Sequence, residues 1–238
     1  MKFQRTLSAI AALSGLLGAA SALADANSTP GNLVANGSMN FTDANGAPLE
    51  VGGPYYAGDN PNTLNGWTFI RPAGNAEYWN SFQMQPSADG GTYLGIQDLD
   101  AYAPRFNVQG ISQTISGLQV GASYTLTFLS MSNHDGSGTY QAWDVSFGSQ
   151  SQTSRATTPN TDDTGTWVQT TMSFKATSTS QVLTFLADYF PGSNPQMLDL
   201  DGVVLEKVSA VPEPSSWALL LAGVAGVSLA MRRSRNAR

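Results

Sequence analysis

Apolar and polar residues alternate with a period of two along much of the chain, and this period restricts the fold more than any other feature. In WVQTTMSFKA, Val168, Thr170, Met172 and Phe174 share one face, while the intervening polar residues take the other. A half-buried β-strand has this period, because successive side chains point to opposite faces of a sheet. The segments SYTLTFLSM, WDVSF and QVLTFLA repeat the pattern. We therefore predict four strands here.

Further strand-like segments are separated by stretches rich in Gly, Asn, Asp, Ser and Pro, which favour turns. These segments are NLVANGSMNF, GWTFI, AEYW, TYLGI, VQGISQTI and MLDLDGVVLEKV. No long stretch of residues 32–208 has the 3.6-residue period of an amphipathic helix. About ten strands without helices predict an all-β domain over these residues, an antiparallel β-sandwich of the jelly-roll type. The large residues whose pattern assigns them to its core are Trp67, Phe128, Trp143, Phe147 and Phe185.

Residues 1–24 have the features of a secretory signal peptide. Lys2 and Arg5 form a basic start, an apolar stretch runs from Leu7 to Ala20, and Ala22-Leu23-Ala24 is a small-residue cleavage site. The apolar stretch is shorter than the roughly 20 residues of a membrane-spanning helix, which argues against an anchor. We predict export of the protein, with a flexible lead-in at residues 25–31 before the sandwich.

The exported part is strongly acidic. Residues 25–211 contain 16 Asp and Glu but only 5 Lys and Arg, which leaves 11 net negative charges. Such a surface repels phosphate backbones, so we expect no nucleic-acid partner. The sequence has no cysteine, which excludes disulfides, thiol nucleophiles and thiolate metal sites. A chain of roughly 185 residues is long enough to bury one core without such crosslinks.

The last 30 residues, 209–238, have three parts. Val211-Pro212-Glu213-Pro214 precedes an uncharged run at 217–231, and a basic end at 232–238 contains four arginines. A helix over the run would be about 22 Å long, which is short of a hydrocarbon core near 30 Å. It could still span where the bilayer thins, with the arginines on the cytoplasmic side. We predict a short transmembrane helix at 217–231, with the sandwich outside.

This layout resembles the PEP-CTERM sorting signal of Gram-negative bacteria, with Val211, Pro212, Glu213 and Pro214 as its motif. In that family an exosortase, an integral membrane enzyme, recognises and cleaves the tail in species that make exopolysaccharide or biofilm matrix. The resemblance therefore implies an exosortase partner and transient contact with the inner membrane. It places the processed protein in the cell envelope, on the outer surface or in the extracellular matrix. The alternative is an ordinary C-terminal membrane tail.

The order of the strand segments, from NLVANGSMNF to MLDLDGVVLE, resembles galactose-binding-like jelly rolls, which include carbohydrate-binding modules. The resemblance covers roughly residues 32–207. In those families an acidic residue after an N-G-x-F motif and an Asp in the last strand often bind a structural calcium. Asp201 matches the second position, while Asn40 stands where the families usually have Glu. The resemblance thus implies calcium at Asp201 and Asn40, with one negative charge fewer, and we expect no other cofactor.

Groups suited to catalysis are sparse. His134 is the only histidine, and its turn-like context, NHDGSGTY, favours a solvated loop residue over the base of a Ser-His-Asp triad. Two acids about 5 to 10 Å apart across a sugar can hydrolyse a glycoside. The pairs that are close in sequence are Asp98 with Asp100, Asp162 with Asp163, and Asp199 with Asp201. Because an acidic surface produces such pairs readily, we predict a noncatalytic protein.

Aromatic residues in or beside polar segments are the remaining candidates for ligand binding. Flat rings stack on the apolar faces of sugars, while nearby polar groups fix the sugar hydroxyls. The candidates are Tyr55, Tyr56, Trp79, Tyr102 and Tyr140, each of which could instead lie at the edge of the core. Together with the tail, they predict a sandwich that binds exopolysaccharide or another glycan. The alternative is a purely structural surface or biofilm-matrix protein with no sugar site.

Overall fold

The computed structural model describes nine stretches of the chain. These are residues 25–43, 45–49, 63–70, 76–80, 86–98, 109–133, 141–154, 166–189 and 197–209, with the backbone alone at 63, 76–80, 97–98, 133 and 188–189. The predicted signal peptide at 1–24 lies outside the described residues, as does the tail from residue 210 onward.

The described residues form two five-stranded sheets and one small two-stranded sheet. The strands are β1 Phe41–Thr42, β2 Thr63–Leu64, β3 Thr68–Ile70, β4 Ala76–Asn80, β5 Leu94–Asp98, β6 Gly110–Ser116, β7 Ser123–Asn133, β8 Gln141–Phe147, β9 Gln150–Thr153, β10 Val168–Lys175, β11 Ser180–Tyr189 and β12 Met197–Lys207. Sheet I has the order β10-β7-β12-β5-β4, sheet II the order β3-β6-β11-β8-β9, and β1 pairs with β2. Their pairings are antiparallel. Within this part of the chain the prediction of an all-β, antiparallel sandwich is confirmed.

Side chains from the inner faces of the two sheets form one core. Phe185 of β11 lies at its centre, with its ring edge-on to Phe128 of β7 at 5.1 Å, to Trp143 of β8 at 5.9 Å and to Trp67 at 6.0 Å between ring centroids. Edge-to-face contacts stabilise beyond the burial of area alone. The core assignment of Trp67, Phe128, Trp143, Phe147 and Phe185 is confirmed, since all five are buried.

The segment NLVANGSMNF differs from its prediction as a strand. Residues 34–38 form a turn, none of residues 32–40 lies in a strand, and the strand begins only at Phe41. Asn36 and Met39 have positive φ angles of 52° and 48°, a region that interrupts a strand. A Cβ on Gly37 would lie 2.1 Å from the main-chain oxygen of Val203, so the turn can approach β12 only with glycine there. The tight packing of this turn on β12, a long-range contact, overrides the local strand pattern.

Residues 25–31 also differ from the predicted flexible lead-in, because they have defined contacts with the sandwich. Residues Ala26–Ser28 form a 3-10 turn, and Ala26 is buried. The Asn32 amide nitrogen donates to the main-chain oxygens of Ala26 at 3.0 Å and Val203 at 3.1 Å. Its oxygen accepts from the main-chain nitrogen of Leu205 at 2.9 Å. A single side chain therefore holds the N-terminal turn against β12.

Two glutamines connect the sheets along one side of the sandwich. β9 and β10 are edge strands of different sheets. Gln150 on β9 donates from Nε2 to the Lys175 oxygen at 2.6 Å and accepts from the Lys175 nitrogen at 3.1 Å. Gln152 donates to the Ser173 oxygen at 2.7 Å. Unpaired main-chain groups of an edge strand are templates for another strand, so these side chains protect the β10 edge.

We predict that replacing both glutamines, Gln150→Ala with Gln152→Ala, increases self-association, because main-chain groups of β10 lose their partners and become available to a second chain. Light scattering after size-exclusion chromatography should show a larger, concentration-dependent mass than for the unmodified protein. Gln169→Ala, an exposed glutamine on β10, is the matched control. An unchanged mass for the double variant over the same concentrations would contradict the prediction.

Candidate functional site

The first half of β12 is buried on both faces. Leu198 and Leu200 belong to the core between the sheets, while Met197, Asp199 and Asp201 take the opposite face and are also fully buried. The outer face of an antiparallel sheet is commonly solvated, so two buried carboxyl groups are unusual there. The pairing of β12 with β7 shifts between Asp201 and Val204. A β-bulge of this kind re-aims side chains and is frequent next to functional sites.

Asp201 binds the loop of residues 86–92 that precedes β5. Its Oδ2 accepts from the Ser87 hydroxyl at 2.6 Å and from the Ala88 nitrogen at 2.9 Å, and its Oδ1 accepts from the Gly202 nitrogen at 2.9 Å. Burial raises the pKa of Asp201 to about 8, and the nearby Asp89 carboxyl adds to this effect while the hydrogen bonds oppose it. Asp201 therefore anchors the loop at the cost of burying a carboxyl group.

Asp89 connects the same loop to the N-terminal turn. Its Oδ2 accepts from the Ala26 nitrogen at 3.0 Å, and its Oδ1 lies 3.3 Å from the Ser87 hydroxyl. Asp25 in turn accepts from the Asn27 nitrogen at 2.8 Å and from the Ser38 hydroxyl. Asp89 and Asp201 thus connect the N-terminal turn, the 86–92 loop and β12 through hydrogen bonds.

Asn40 holds the other end of the loop. Its Oδ1 accepts from the Thr92 nitrogen at 3.2 Å, and a Cβ on Gly91 would lie 2.1 Å from this oxygen. Each oxygen of Asp201 and the amide oxygen of Asn40 therefore already accepts a hydrogen bond from the protein. In the stretches that the structure describes, no three acidic, His or Cys side chains are grouped to hold a metal. As arranged, Asp201 and Asn40 bind the loop and do not fit the calcium site that the resemblance implies.

Asp199 has a different environment, because neither of its carboxyl oxygens has a hydrogen-bond partner. Burial raises the pKa of Asp199 well above its usual range, and the neighbouring Asp201 raises it further. The opposite residue on β5 is Gly95, where a Cβ would lie 2.8 Å from Asp199 Oδ1 and 2.6 Å from Met197 Sδ. Burial thus favours the neutral form of this carboxyl group. The space between Asp199 and β5 is so narrow that position 95 has room only for glycine.

The remaining predicted site residues are only partly described. Trp79 lies on β4, where its backbone pairs with Gly95, so the register places it in one cross-strand row with Asp199. The other residues proposed for stacking or sorting lie outside the described stretches, as do several residues weighed for catalysis. They are Tyr55, Tyr56, Tyr102, Tyr140, Val211, Pro212, Glu213, Pro214, His134, Asp100, Asp162 and Asp163.

Sequence reasoning missed Ser87 and Asp89. Ser87 donates to Asp201, which the sequence did select, and its hydroxyl lies 3.3 Å from Asp89 Oδ1. Ser87 and Asp201 are separated by 114 positions, so no local pattern connects them. The signal that could have identified the loop is the Gly90-Gly91 pair, whose φ angles of 102° and 81° form a turn that other residues rarely adopt.

Comparison with known proteins identifies the tail. Residues 210–235 match the PEP-CTERM protein-sorting motif, which confirms the resemblance seen in the sequence. Such a sorting motif implies an exported protein. None of the curated proteins matches the chain. Within the described residues no helix is both long and apolar enough to cross a membrane, and the helix predicted at 217–231 lies outside them.

Solved structures with some similarity to this chain have low sequence identity. The enzymatically active domain of tailspike protein 4 from bacteriophage CBA120 is 13% identical with a TM-score of 0.43, over 75% of this chain and 22% of that one. The CBM22-1 xylan-binding domain of Paenibacillus barcinonensis Xyn10C is 14% identical with a TM-score of 0.39, over 68% and 99%. The K1 adhesin domain of Lys-gingipain from Porphyromonas gingivalis W83 is 14% identical with a TM-score of 0.42, over 62% and 94%. The chain spans about a fifth of the tailspike domain's length.

We predict that Asp201→Ala lowers the free energy of unfolding by about 1 to 3 kcal/mol in the presence of chelator, because the partly buried nitrogens of Ala88 and Gly202 lose their acceptor. Denaturant unfolding would measure the change, with Asp144→Ala on β8 as the control. A loss below about 0.5 kcal/mol, the size of an ordinary surface substitution, would show that the loop does not depend on Asp201.

Calcium is tested with the same pair of proteins. Because Asp201 and Asn40 do not fit the implied site, we expect the unmodified protein to melt at the same temperature in calcium and in chelator. A ligand bound only to the native state stabilises it, so a calcium-dependent rise in melting temperature that Asp201→Ala abolishes would contradict this and establish the site.

We also predict that stability falls as the pH rises from about 5 to 8, and that Asp199→Asn reduces this slope. A carboxyl group whose pKa is raised in the folded state keeps a proton that the unfolded chain loses, so its contribution is fully present below the unfolded value near 4. It disappears as the pH rises through the folded value. Chemical unfolding in chelator at several pH values measures the slope, with Asp144→Asn as control. An identical slope in Asp199→Asn would contradict the assignment.

Proposed function

We propose that this is an exported, noncatalytic protein of the cell envelope or extracellular matrix, sorted by an exosortase, whose β-sandwich binds a glycan. The observation that carries the proposal is the PEP-CTERM protein-sorting motif at residues 210–235. Sorting would bring the tail briefly into the inner membrane through the helix at 217–231 and its following arginines. Processing would then release the sandwich to the outer surface or to the biofilm matrix of a Gram-negative cell.

Charge restricts the glycan. The 11 net negative charges of residues 25–211 would repel an acidic polysaccharide unless cations intervene, so the ligand is a neutral or amide-bearing chain. Stacking on one or two rings leaves little free energy after the ordering costs of binding, so each site is weak. Many copies on one surface or in one matrix raise the total affinity without new contacts.

The row formed by Trp79, Gly95 and Asp199 on sheet I supports a sugar site on this sheet. Directly opposite residues of antiparallel strands share a face, and both Trp79 and Asp199 are opposite Gly95. An aromatic position beside a glycine suits the apolar face of a sugar, which stacks on a flat ring. Asp199 is fully buried beneath this row and is not itself a sugar contact.

Two observations argue against glycoside hydrolysis by the described acids. Of the three acid pairs, only Asp199 and Asp201 have described side chains, and both are fully buried. A hydrolytic pair needs one acid and one carboxylate on opposite sides of the scissile bond. Asp201 instead uses both oxygens to hold the protein's own loop. The alternative to glycan binding is a structural matrix protein without a sugar site.

The tail gives the first test of this proposal. We predict that the mature protein lacks the residues after about Pro214 where the exosortase is present, and that deleting the exosortase gene leaves a membrane-bound form. Intact mass spectrometry of the surface-released protein measures the C-terminus. Release of a protein that still carries Arg238 would show that the tail is not cleaved.

The glycan is tested by replacing Tyr55, Tyr56, Trp79, Tyr102 and Tyr140 with Ala, one at a time. At least one variant should lose retention in affinity electrophoresis through matrix polysaccharide, because it loses a stacking ring. Its unfolding transition should be unchanged. Val182→Ala, an exposed position on β11 of the other sheet, is the control. If the unmodified protein is retained by no matrix glycan, the structural alternative replaces the proposal.

A further inference from the structure

A groove lies where the turn of residues 34–38 meets the N-terminal turn, β1 and the turn that follows β2. It has a volume of about 420 Å³, within the usual range of small-molecule sites. Its described lining residues are Asn27, Val34, Ala35, Asn36, Asn40, Thr42 and Asn65. Four of these seven are asparagine and none is charged, although residues 25–211 carry 11 net negative charges. The groove is thus an uncharged, amide-rich part of an acidic surface.

A buried glutamine on β6 holds two of these turns together. Gln113 accepts from the Ala35 nitrogen at 2.8 Å, and its Nε2 donates to the main-chain oxygens of Ala35 at 2.9 Å and Gly66 at 2.8 Å. The Asn36 side chain closes the first turn, because it donates to the Asn40 oxygen at 2.9 Å and accepts from the Asn40 nitrogen at 3.0 Å. Ligand sites are usually largely pre-formed in this way. The protein's own hydrogen bonds therefore fix the shape of the groove.

Two of the lining asparagines have a fixed amide whose nitrogen lacks a protein partner. Asn40 Oδ1 accepts from the Thr92 nitrogen at 3.2 Å, and Asn27 Oδ1 accepts from the Ser38 nitrogen at 3.4 Å. Because a main-chain N–H can only donate, these bonds identify the oxygen of each amide and so fix the side on which its NH₂ group lies. Within the part of the chain that the structure describes, neither Nδ2 atom has a hydrogen-bond partner. The groove thus offers two oriented donors to a ligand.

An acetamido group matches both the donors and the apolar residues beside them. Its carbonyl oxygen has two lone pairs and accepts two hydrogen bonds, while its methyl group gains from contact with apolar side chains such as Val34 and Ala35. Two donors would also suit an anion. Asp25, whose Oδ1 accepts from the Asn27 nitrogen at 2.8 Å, and the negative charge of the exported part repel an anion. The groove therefore favours a neutral ligand that carries N-acetyl groups.

We propose that this groove binds the acetamido groups of an N-acetylated polysaccharide, which specifies the glycan of the proposed function and rests on that function. Asn27 and Asn40 donate to the acetamido oxygen, and Val34 and Ala35 contact the methyl group. A sugar with a hydroxyl in place of the acetamido group loses the methyl contact and the carbonyl acceptor. The groove residues are not the aromatic candidates replaced above, so separate variants test the two.

The test compares two neutral oligosaccharides of equal length by NMR titration of the purified protein in chelator. Chitotetraose is a chain of N-acetylglucosamine, and cellotetraose has a hydroxyl in place of each acetamido group. We expect chitotetraose to bind about tenfold more tightly, which corresponds to two net hydrogen bonds.

Two isosteric variants remove the donors one at a time. Asn27→Asp and Asn40→Asp keep the oxygen that accepts from Ser38 or Thr92 and replace the NH₂ group with a second oxygen. Each should weaken chitotetraose binding about three- to tenfold. Gln169→Glu is the matched control, because it makes the same amide-to-carboxylate change at an exposed position of β10. Should Asn40→Asp fail to fold, Asn27→Asp at its exposed position decides the test alone.

Equal affinities for the two oligosaccharides, or an unchanged chitotetraose affinity in a folded groove variant, would overturn the proposal. Equally strong binding of an uncharged N-acetylated peptide would also overturn it, since the groove would then recognise protein chains. If chitotetraose binding is lost in Trp79→Ala and retained in the groove variants, the glycan binds on sheet I, and this inference fails while the proposed function stands. Retention of the unmodified protein by no matrix glycan would contradict both.

Discussion

The buried carboxyl group of Asp201 organises the region where four parts of the chain meet. It accepts hydrogen bonds from Ser87, Ala88 and Gly202, and it lies at a bulge that the turn around Gly37 packs against. Burying such a group is unfavourable unless its oxygens have partners. The protein supplies them from the Ser87 hydroxyl and two main-chain nitrogens, which fixes the 86–92 loop and, through Asp89, the N-terminal turn. The position of the loop before β5 therefore depends on one side chain of β12.

The period-two pattern correctly predicted the strands whose two faces differ. On β8, Trp143, Val145 and Phe147 are buried, as their alternation indicates. The pattern failed for residues 32–40, because Asn36 and Met39 have left-handed backbone angles that only the packing of the turn explains. It also could not find the pairing of Gln150 with Lys175, which joins two different sheets. Contacts between distant segments leave no periodic signal in the sequence.

The candidate site was predictable only in part. The resemblance to sugar-binding jelly rolls selected Asp201 and Asn40, and the structure places them at opposite ends of one loop. It did not select Asp89, which comes from a turn more than a hundred residues earlier in the chain than β12. The sequence selected Asp199 only as a member of the Asp199-Asp201 pair, and it gave no sign that this carboxyl group is buried without a hydrogen-bond partner. Burial and hydrogen bonding are properties of the folded chain.

In the proposed role, the tail directs export of the protein and the β-sandwich then retains it outside the cell. A sandwich that binds glycan weakly at each site, in many copies, would be held by a polysaccharide matrix without a covalent anchor. The most direct measurement is the distribution of the protein between matrix and medium in a strain that cannot synthesise its exopolysaccharide. If the sandwich binds the polysaccharide, the protein moves from the matrix fraction to the medium in this strain while remaining folded. Equal retention with and without the polysaccharide would contradict it.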